Sequence, residues 1–351
     1  MYLMLYTVLA SPAAADAPDM QVHTLEWLAL GVLVVALITT DLMGHVRKPH
    51  EPTMKEATKW LLFYVGLAVL FGVYMIFRHS SEFAIEFFAT YFTEYSLSID
   101  NIFIFIIIIG SFRVPRPYQQ KVLLYGIVIA LVLRLIFILL GAALLERFSW
   151  LFFLFAAFLL WTAYSQVKEG VSGDDKGDPE NYEPNAVTKF AQKIFRVTDG
   201  FVGDRLMVRR AHKTWVTPFF LCIIAIGSAD LMFALDSIPA SFGLTSQPFI
   251  IFAANAFALM GLRQLFFLVD GLLDRLIYLH YGLAAILGFI GLKLLVEAFH
   301  GVGLLHQIPA IPPLVSLGVI VVIILITVVT SLTADKRAGK DGQGEEPAPG
   351  E

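Results

Sequence analysis

Nine stretches of mostly apolar residues, at 25–43, 60–77, 83–109, 122–145, 148–166, 217–240, 249–269, 276–297 and 314–332, run through this chain of 351 residues. Each is close to the about 20 residues that a helix rising 1.5 Å per residue needs to cross about 30 Å of hydrocarbon. In such a layer every backbone N–H and C=O must be paired within the structure, so only helices and closed barrels span it. Barrel strands alternate apolar and polar residues over about ten positions. These runs are continuous, which selects helices. Composition agrees, with 58% hydrophobic and 15% charged residues and a mean hydropathy of +0.74, where soluble domains carry about a quarter charged residues. The expected fold is an all-α polytopic membrane protein of about nine transmembrane helices. A net charge of -4 gives no basic surface for nucleic acid. The single Cys222 excludes an intrachain disulfide or a thiolate metal cluster.

Lys and Arg set the orientation, because short cytoplasmic loops hold the excess. With the N-terminus outside, 20 basic residues fall inside and only Arg78 and Arg147 outside, while Arg134, Arg263 and Lys293 lie within spans. The expected protein is a multi-pass plasma (inner) membrane protein with its N-terminus outside and its C-terminus in the cytoplasm. Residues 1–24 read as an extracytoplasmic segment. They have the apolar run and small residues of a cleavable signal but lack its basic start, so both outcomes stand. Residues 25–82 supply two peripheral spans, and 168–215 a cytoplasmic loop. In that loop Val187, Phe190 and Ile194 recur at helical spacing. A final span lies within 299–333, and the polar residues 334–351 read as a disordered cytoplasmic tail.

Between the peripheral spans and the tail the sequence echoes itself. Glu94 is followed six residues later by Asp100 and then Asn101; Asp230 is followed six residues later by Asp236 and then Ser237. Arg134 lies in the next span of the first unit and Arg263 in the next span of the second. Leu144-Leu145-Glu146-Arg147 matches Leu272-Leu273-Asp274-Arg275. The units are 83–167 and 216–298, three spans each. An odd number of spans gives the two units opposite orientations, so the expected plan is an inverted repeat. Secondary transporters of that build place their sites near the midplane, at the repeat interface.

A charged carboxylate at the centre of a span costs about 2.5–3.5 kcal/mol on insertion scales. Asp41, Glu94, Asp100, Asp230 and Asp236 lie in or near spans, against the two arginines Arg134 and Arg263. The arginines read as charge-balancing groups rather than substrate contacts. Asp41 reads equally well as a site residue or as an interfacial acid paired with Arg47 or Lys48. A bound divalent cation or protonation would relieve the surplus negative charge. Carboxylates, an amide and a hydroxyl are hard oxygen donors suited to Mg, Ca or Mn, and no imidazole joins them. His212, His280, His300 and His306 read as solvated or interfacial.

Six residues along a helix give a rise of about 9 Å and a net turn of about 240°. Glu94 and Asp100 therefore cannot grip one ion from a straight helix. Either the helix unwinds between them, with Pro239 and Gly243 marking the equivalent place in the second unit, or each acid meets a partner from the other unit. The expected geometry brings Asp100 and Asp236 together across the pseudo-twofold axis, with Glu94 and Asp230 lining an approach or a proton-coupled position.

The two segments Glu94-Tyr-Ser-Leu-Ser-Ile-Asp100-Asn101 and Asp230-Leu-Met-Phe-Ala-Leu-Asp236-Ser237 resemble the paired signatures of the TerC/Alx family of integral membrane proteins. Asp41-Leu-Met-Gly-His-Val-Arg-Lys, Gly261-Leu-Arg263 and Gly271-Leu-Leu-Asp274-Arg275 are similar to it as well, so that the resemblance covers about residues 25–332. It implies a secondary transporter that exports Mn2+ from the cytoplasm, with protons as the candidate coupling ion. The metal residues it implies are Asp41, Glu94, Asp100, Asn101, Asp230, Asp236 and Ser237. The family name comes from tellurium resistance. Gly227 stands where family members often carry Glu. Mn2+ would be substrate rather than cofactor, and Ca2+ has the same ligand preference. The alternative is a membrane scaffold or metal-delivery factor for exported proteins, acting through loop 168–215 or the tail. No nucleophile motif or phosphate-binding glycine loop is present, so an enzyme is not expected.

Overall fold

The computed structural model describes residues 20–43, 53–148, 150–172, 188–189, 193–198, 200–203, 205–210, 213–269, 278–301 and 311–341; the side chains of a few of these, Asp100 and Glu146 among them, are outside that description. Among the described residues nine helices are long and apolar enough to cross a membrane. They are α1 (Thr24–Asp41), α2 (Met54–Arg78), α3 (Ser81–Ser111), α4 (Arg116–Arg147), α5 (Leu151–Ser172), α6 (Pro218–Phe242), α7 (Pro248–Val269), α8 (Leu279–Gly301) and α9 (Pro313–Asp341).

Polar side chains and prolines mark where these helices begin. Thr53, Ser80 and Thr217 accept hydrogen bonds from the backbone N–H groups of Glu56, Phe83 and Phe220, which satisfies donors the first turn leaves open. At α1 the Glu26 carboxylate accepts from the His23 backbone N–H at 2.9 Å. It also accepts from the Tyr74 hydroxyl at 3.0 Å and pairs with Arg78 Nε at 2.9 Å, tying α1 to the end of α2. Pro218 opens α6 at a position where a missing N–H costs nothing.

Burial sorts the helices into two shells. In α7 94% of the apolar stretch is buried, against 62% in α3 and 56% in both α6 and α8. For α1, α2, α5 and α9 the share is 22%. The inner helices are α3, α6, α7 and α8, and the outer ones turn Val32, Leu70, Phe77, Leu325 and Ile326 outward, as a lipid-facing surface requires. The closest packing joins α5 to α8, α3 to α7, α4 to α6 and α2 to α7. Between α4 and α6 the fit is reciprocal. A Cβ added at Gly126 would lie 2.5 Å from Ile226 Cγ2, and one added at Gly227 would lie 3.0 Å from Ile129 Cγ2. Each helix thus offers a glycine notch to an isoleucine of the other, a backbone approach that small residues permit.

Two features depart from the sequence reading, and a third agrees with it as far as it is described. The region read as a cytoplasmic loop contains an antiparallel hairpin, β1 (Met207–Arg210) with β2 (Lys213–Val216), pairing Val208 with Trp215 and Arg209 with Thr214. Its two connecting residues, Ala211 and His212, lie outside the described residues and carry none of the Asn-Gly signature that announces a tight hairpin. The expected helical stretch near 187–194 has residues 188, 189, 193 and 194 in helix, with Val187 and Phe190 outside the described residues. Helix α9 runs on to Asp341, past the polar boundary at 334. There Ala334, Lys336, Arg337 and Ala338 are good helix formers that extend an existing helix without a new nucleus.

Candidate functional site

At the middle of the bundle four helices meet on one guanidinium. Arg134 of α4 is 1% exposed, although only 28% of the apolar stretch of α4 is buried; its side chain points inward while its helix faces out. It grips Asp230 of α6 as a fork, Nε to Oδ2 at 3.0 Å and Nη2 to Oδ1 at 3.2 Å. Nη1 donates to Glu94 Oε2 of α3 at 2.8 Å and lies 3.3 Å from Ser237 Oγ of α6. The same nitrogen donates to the Asn255 side-chain oxygen of α7. The other oxygen of Glu94 accepts from Ser241 Oγ at 2.6 Å and from Asn255 Nδ2 at 3.0 Å. Glu94 and Asp230 are each 1% exposed and Asn255 is fully buried.

Every strong polar atom of this cluster has a partner, as charge in low dielectric requires. The formal sum of Glu94, Asp230 and Arg134 is nevertheless one negative charge. With the guanidinium withdrawn it is two, the complement of a divalent cation. The oxygens around the guanidinium are carboxylate, amide and hydroxyl, the donor set of a hard cation. Among the described residues no three carboxylate, imidazole or thiolate side chains converge as a metal-holding group; Glu94 and Asp230 are the two that meet.

The other expected residues take separate places. Asp41, at the end of α1, accepts from Arg263 Nη2 of α7 at 2.8 Å, and the Tyr64 hydroxyl also bonds to it. Arg263 stands eight residues beyond Asn255 on α7, about 12 Å along the axis, so this pair forms a second polar layer. Arg263 Nη1 is buried with no hydrogen-bond partner. Asp236 is half-buried, and its Oδ1 lies 3.3 Å from Thr162 Oγ1 of α5. Asn101 is buried on α3, and Ser237 joins the central cluster. Asp100 lies on α3 with its side chain outside the described residues. Of the two ways around the six-residue spacing, unwinding is absent: α3 is helical through 94–100 and α6 through 230–236, and α6 continues past Pro239 to Phe242. Asp230 meets the first unit through Arg134, and Glu94 meets the second through Ser241 and Asn255. Gly227 faces Ile129, so the tight α4–α6 contact fills the place a glutamate would need.

Ser241 and Asn255 were not among the expected residues. Asn255 was findable as the one strongly polar side chain inside the first half of its span, at 249–260. Ser241 gave no signal, because a serine bonds its own helix as readily as a neighbour. Of the histidines, His280 is half-buried and shares a hydrogen bond with Gln166 at 3.1 Å, while His212 and His306 lie outside the described residues.

A bundle of membrane-length helices with lipid-facing outer faces, closed around ion-paired carboxylates, defines a polytopic integral membrane protein. Residues 79–339 match the model of the integral membrane protein TerC family, and the chain belongs to that family. It is 48% identical over 276 residues to an uncharacterized membrane protein of Mycobacterium tuberculosis, covering 79% of this chain and 69% of the relative. An uncharacterized membrane protein of Myxococcus xanthus is 35% identical over 312 residues, 89% of this chain and 93% of the relative. A Salmonella typhi protein named "Putative membrane-bound redox modulator Alx" is 36% identical over 305 residues, 84% of this chain and 90% of the relative. No solved structure matches the chain.

Proposed function

We propose that this protein is a secondary transporter that exports a divalent metal ion, foremost Mn2+, from the cytoplasm, with protons as the coupling ion. The observation that carries the proposal is the pair of carboxylates, Glu94 and Asp230, held deep in two different helices and sharing Arg134 with one negative charge left over. A cluster built only to lock the bundle would reach neutrality with one acid. In this reading the guanidinium holds the site in the absence of metal. An arriving cation takes the carboxylate oxygens, and Asp100 and Asp236 lie on the route it follows. Family membership supports Mn2+ as the metal through the resemblance already described. The packing supports a two-unit repeat, since α3 lies on α7 as α6 lies on α4 and exchanging the two units preserves both contacts.

The name of the Salmonella relative suggests a redox role. Here the sole cysteine, Cys222, is buried and has no second thiol in the chain to exchange with. A redox effect of this protein would then follow from the metal it moves.

The test is Mn2+ uptake into proteoliposomes of the purified protein, with and without a pH gradient, beside Asp230→Asn, Asp100→Asn and Asp236→Asn. Saturable flux that follows the gradient and falls at least tenfold in Asp230→Asn is expected. Bound Mn2+ without flux in the wild type would move the assignment to a metal-delivery factor.

A further inference from the structure

On the outer surface of the bundle a groove of about 960 Å³ runs between α8 and α9. Its floor is tightly closed. A Cβ added at Gly282 would clash with Thr327, and the Tyr278 backbone N–H donates to Ser331 Oγ at 3.1 Å. Its walls change chemistry along their length. Ala285, Ile323 and Ile326 line the deep end, while Thr330, Thr333, Tyr278 and Tyr281 line the other. The two threonine hydroxyls are spent on their own helix, Thr330 donating to the Ile326 carbonyl and Thr333 to the Val329 carbonyl. The phenols are not. Neither tyrosine hydroxyl has a hydrogen-bond partner among the described residues, and both residues are exposed. Along α9 the wall runs eleven residue steps from Ile323 to Ala334, about 16 Å of axis. One leaflet supplies about 15 Å of hydrocarbon, so the groove is one leaflet deep. Helix α9 then continues to Asp341. Arg337 and Lys340 stand seven residues after Thr330 and Thr333, which keeps them on the same stripe of the helix to within about 20°.

We propose that this groove is a binding site for an anionic phospholipid of the leaflet that borders the end of α9. An acyl chain lies against Ala285, Ile323 and Ile326. The phosphodiester oxygens accept from the Tyr278 and Tyr281 hydroxyls, and the net charge of the headgroup is drawn to the positions of Arg337 and Lys340. Tyrosines at the interface and basic residues just beyond it hold such headgroups. On the orientation expected from the sequence, this is the cytoplasmic leaflet. A second copy of the chain fits the groove less well. A twofold axis along the membrane normal would set two α9 ends side by side on one face of the membrane, each with Arg337 and Lys340, and like charges would repel there. The site does not depend on the transport reading.

Lipid titrations of the full chain in mild detergent test it, read by melting temperature and by native mass spectrometry. Dioleoyl phosphatidylglycerol is expected to raise the melting temperature by about 3 °C or more and to stay on the protein as one phospholipid mass. Dioleoyl phosphatidylcholine, with the same chains and no net charge, should act only weakly. Each basic residue near the surface is worth about fivefold in affinity for anionic lipid. Arg337→Gln with Lys340→Gln should therefore weaken phosphatidylglycerol binding by at least about tenfold and leave the phosphatidylcholine response unchanged. Tyr278→Phe with Tyr281→Phe should weaken both lipids, because the phosphate is common to them. Thr330 is exposed, so Thr330→Phe fills the groove without disturbing the packing beneath; it should melt like wild type without lipid and lose the retained mass. Equal stabilisation by the two lipids, or phosphatidylglycerol binding unchanged in both Thr330→Phe and the Arg337/Lys340 double variant, overturns the proposal. So does a lipid-free dimer that Thr330→Phe turns into a monomer, which would assign the groove to a second copy.

Discussion

Arg134 is the residue on which most of the interior depends. It satisfies two carboxylates and the Asn255 amide at once, so Arg134→Gln would strand two buried charges. Breaking a buried ion pair from one side costs about 3–5 kcal/mol, and the expected outcome is a protein that fails to stay folded in mild detergent. Arg134→Lys keeps the charge but has no planar fork for Asp230; it should fold with a lowered melting temperature. Thermal melts of the three proteins side by side check the order wild type, Lys, Gln. A quieter residue sets a pH dependence. His79, between α2 and α3, has a nearly buried ring with Nε2 3.3 Å from Glu26 Oε1, outside hydrogen-bond geometry. Burial holds its imidazole below the ordinary histidine range; the Arg78 charge adds to this and Glu26 opposes it. A base whose folded-state pKa is depressed contributes stability above its unfolded value that is lost as pH falls through the folded one. Melting temperature should therefore drop as pH is lowered below about 6.5, and His79→Gln should flatten that part of the profile.

Pairs of elements show where one sequence suffices and where it does not. The α4–α6 contact rests on Gly126 against Ile226 and Gly227 against Ile129. Overpacking of this kind costs about 1–3 kcal/mol, so Gly126→Ala, which meets its neighbour at the shorter distance, should destabilise more than Gly227→Ala. Adding Ile226→Ala should return much of the loss in the first case, a coupling that a double-mutant cycle in thermal melts would read. None of this was visible along the chain, because a glycine's value here comes from the residue opposite it. The nine spans were visible, since length and apolarity are set by the bilayer and each helix declares them alone. Glu94 and Asp230 stood out as charges in apolar surroundings. Their partner set stood out only in part: Asn255 is a lone amide in an apolar stretch, but Ser241 is an ordinary serine until the end of α6 is laid against α3. The β1–β2 hairpin escaped because its strands are four residues long and its turn lacks glycine.

At the scale of the molecule, three polar layers can be traced among the described residues along α3 and α7. Glu86 with Thr245 comes first, then Glu94, Arg134, Asp230 and Asn255, then Asp41, Tyr64 and Arg263. Consecutive layers are about 12 Å apart along the axis, by the eight-residue spacings on α3 and α7. On the transport reading, a metal that binds the central layer stabilises the fold by mass action, about 2.7 kcal/mol at a hundredfold excess over its Kd. Mn2+ should raise the melting temperature of the wild type and leave that of Asp230→Asn unchanged; equal shifts in both would place the metal elsewhere. The same layer sets how the protein would respond to metal supply. Arg134 is a cation that never leaves, and a group tethered beside its target competes at an effective concentration on the order of millimolar. Trace metal would lose that contest, and only an ion that has accumulated would win it. On the transport reading such a molecule would behave as an overflow valve, with an opening threshold written into the length of one arginine side chain.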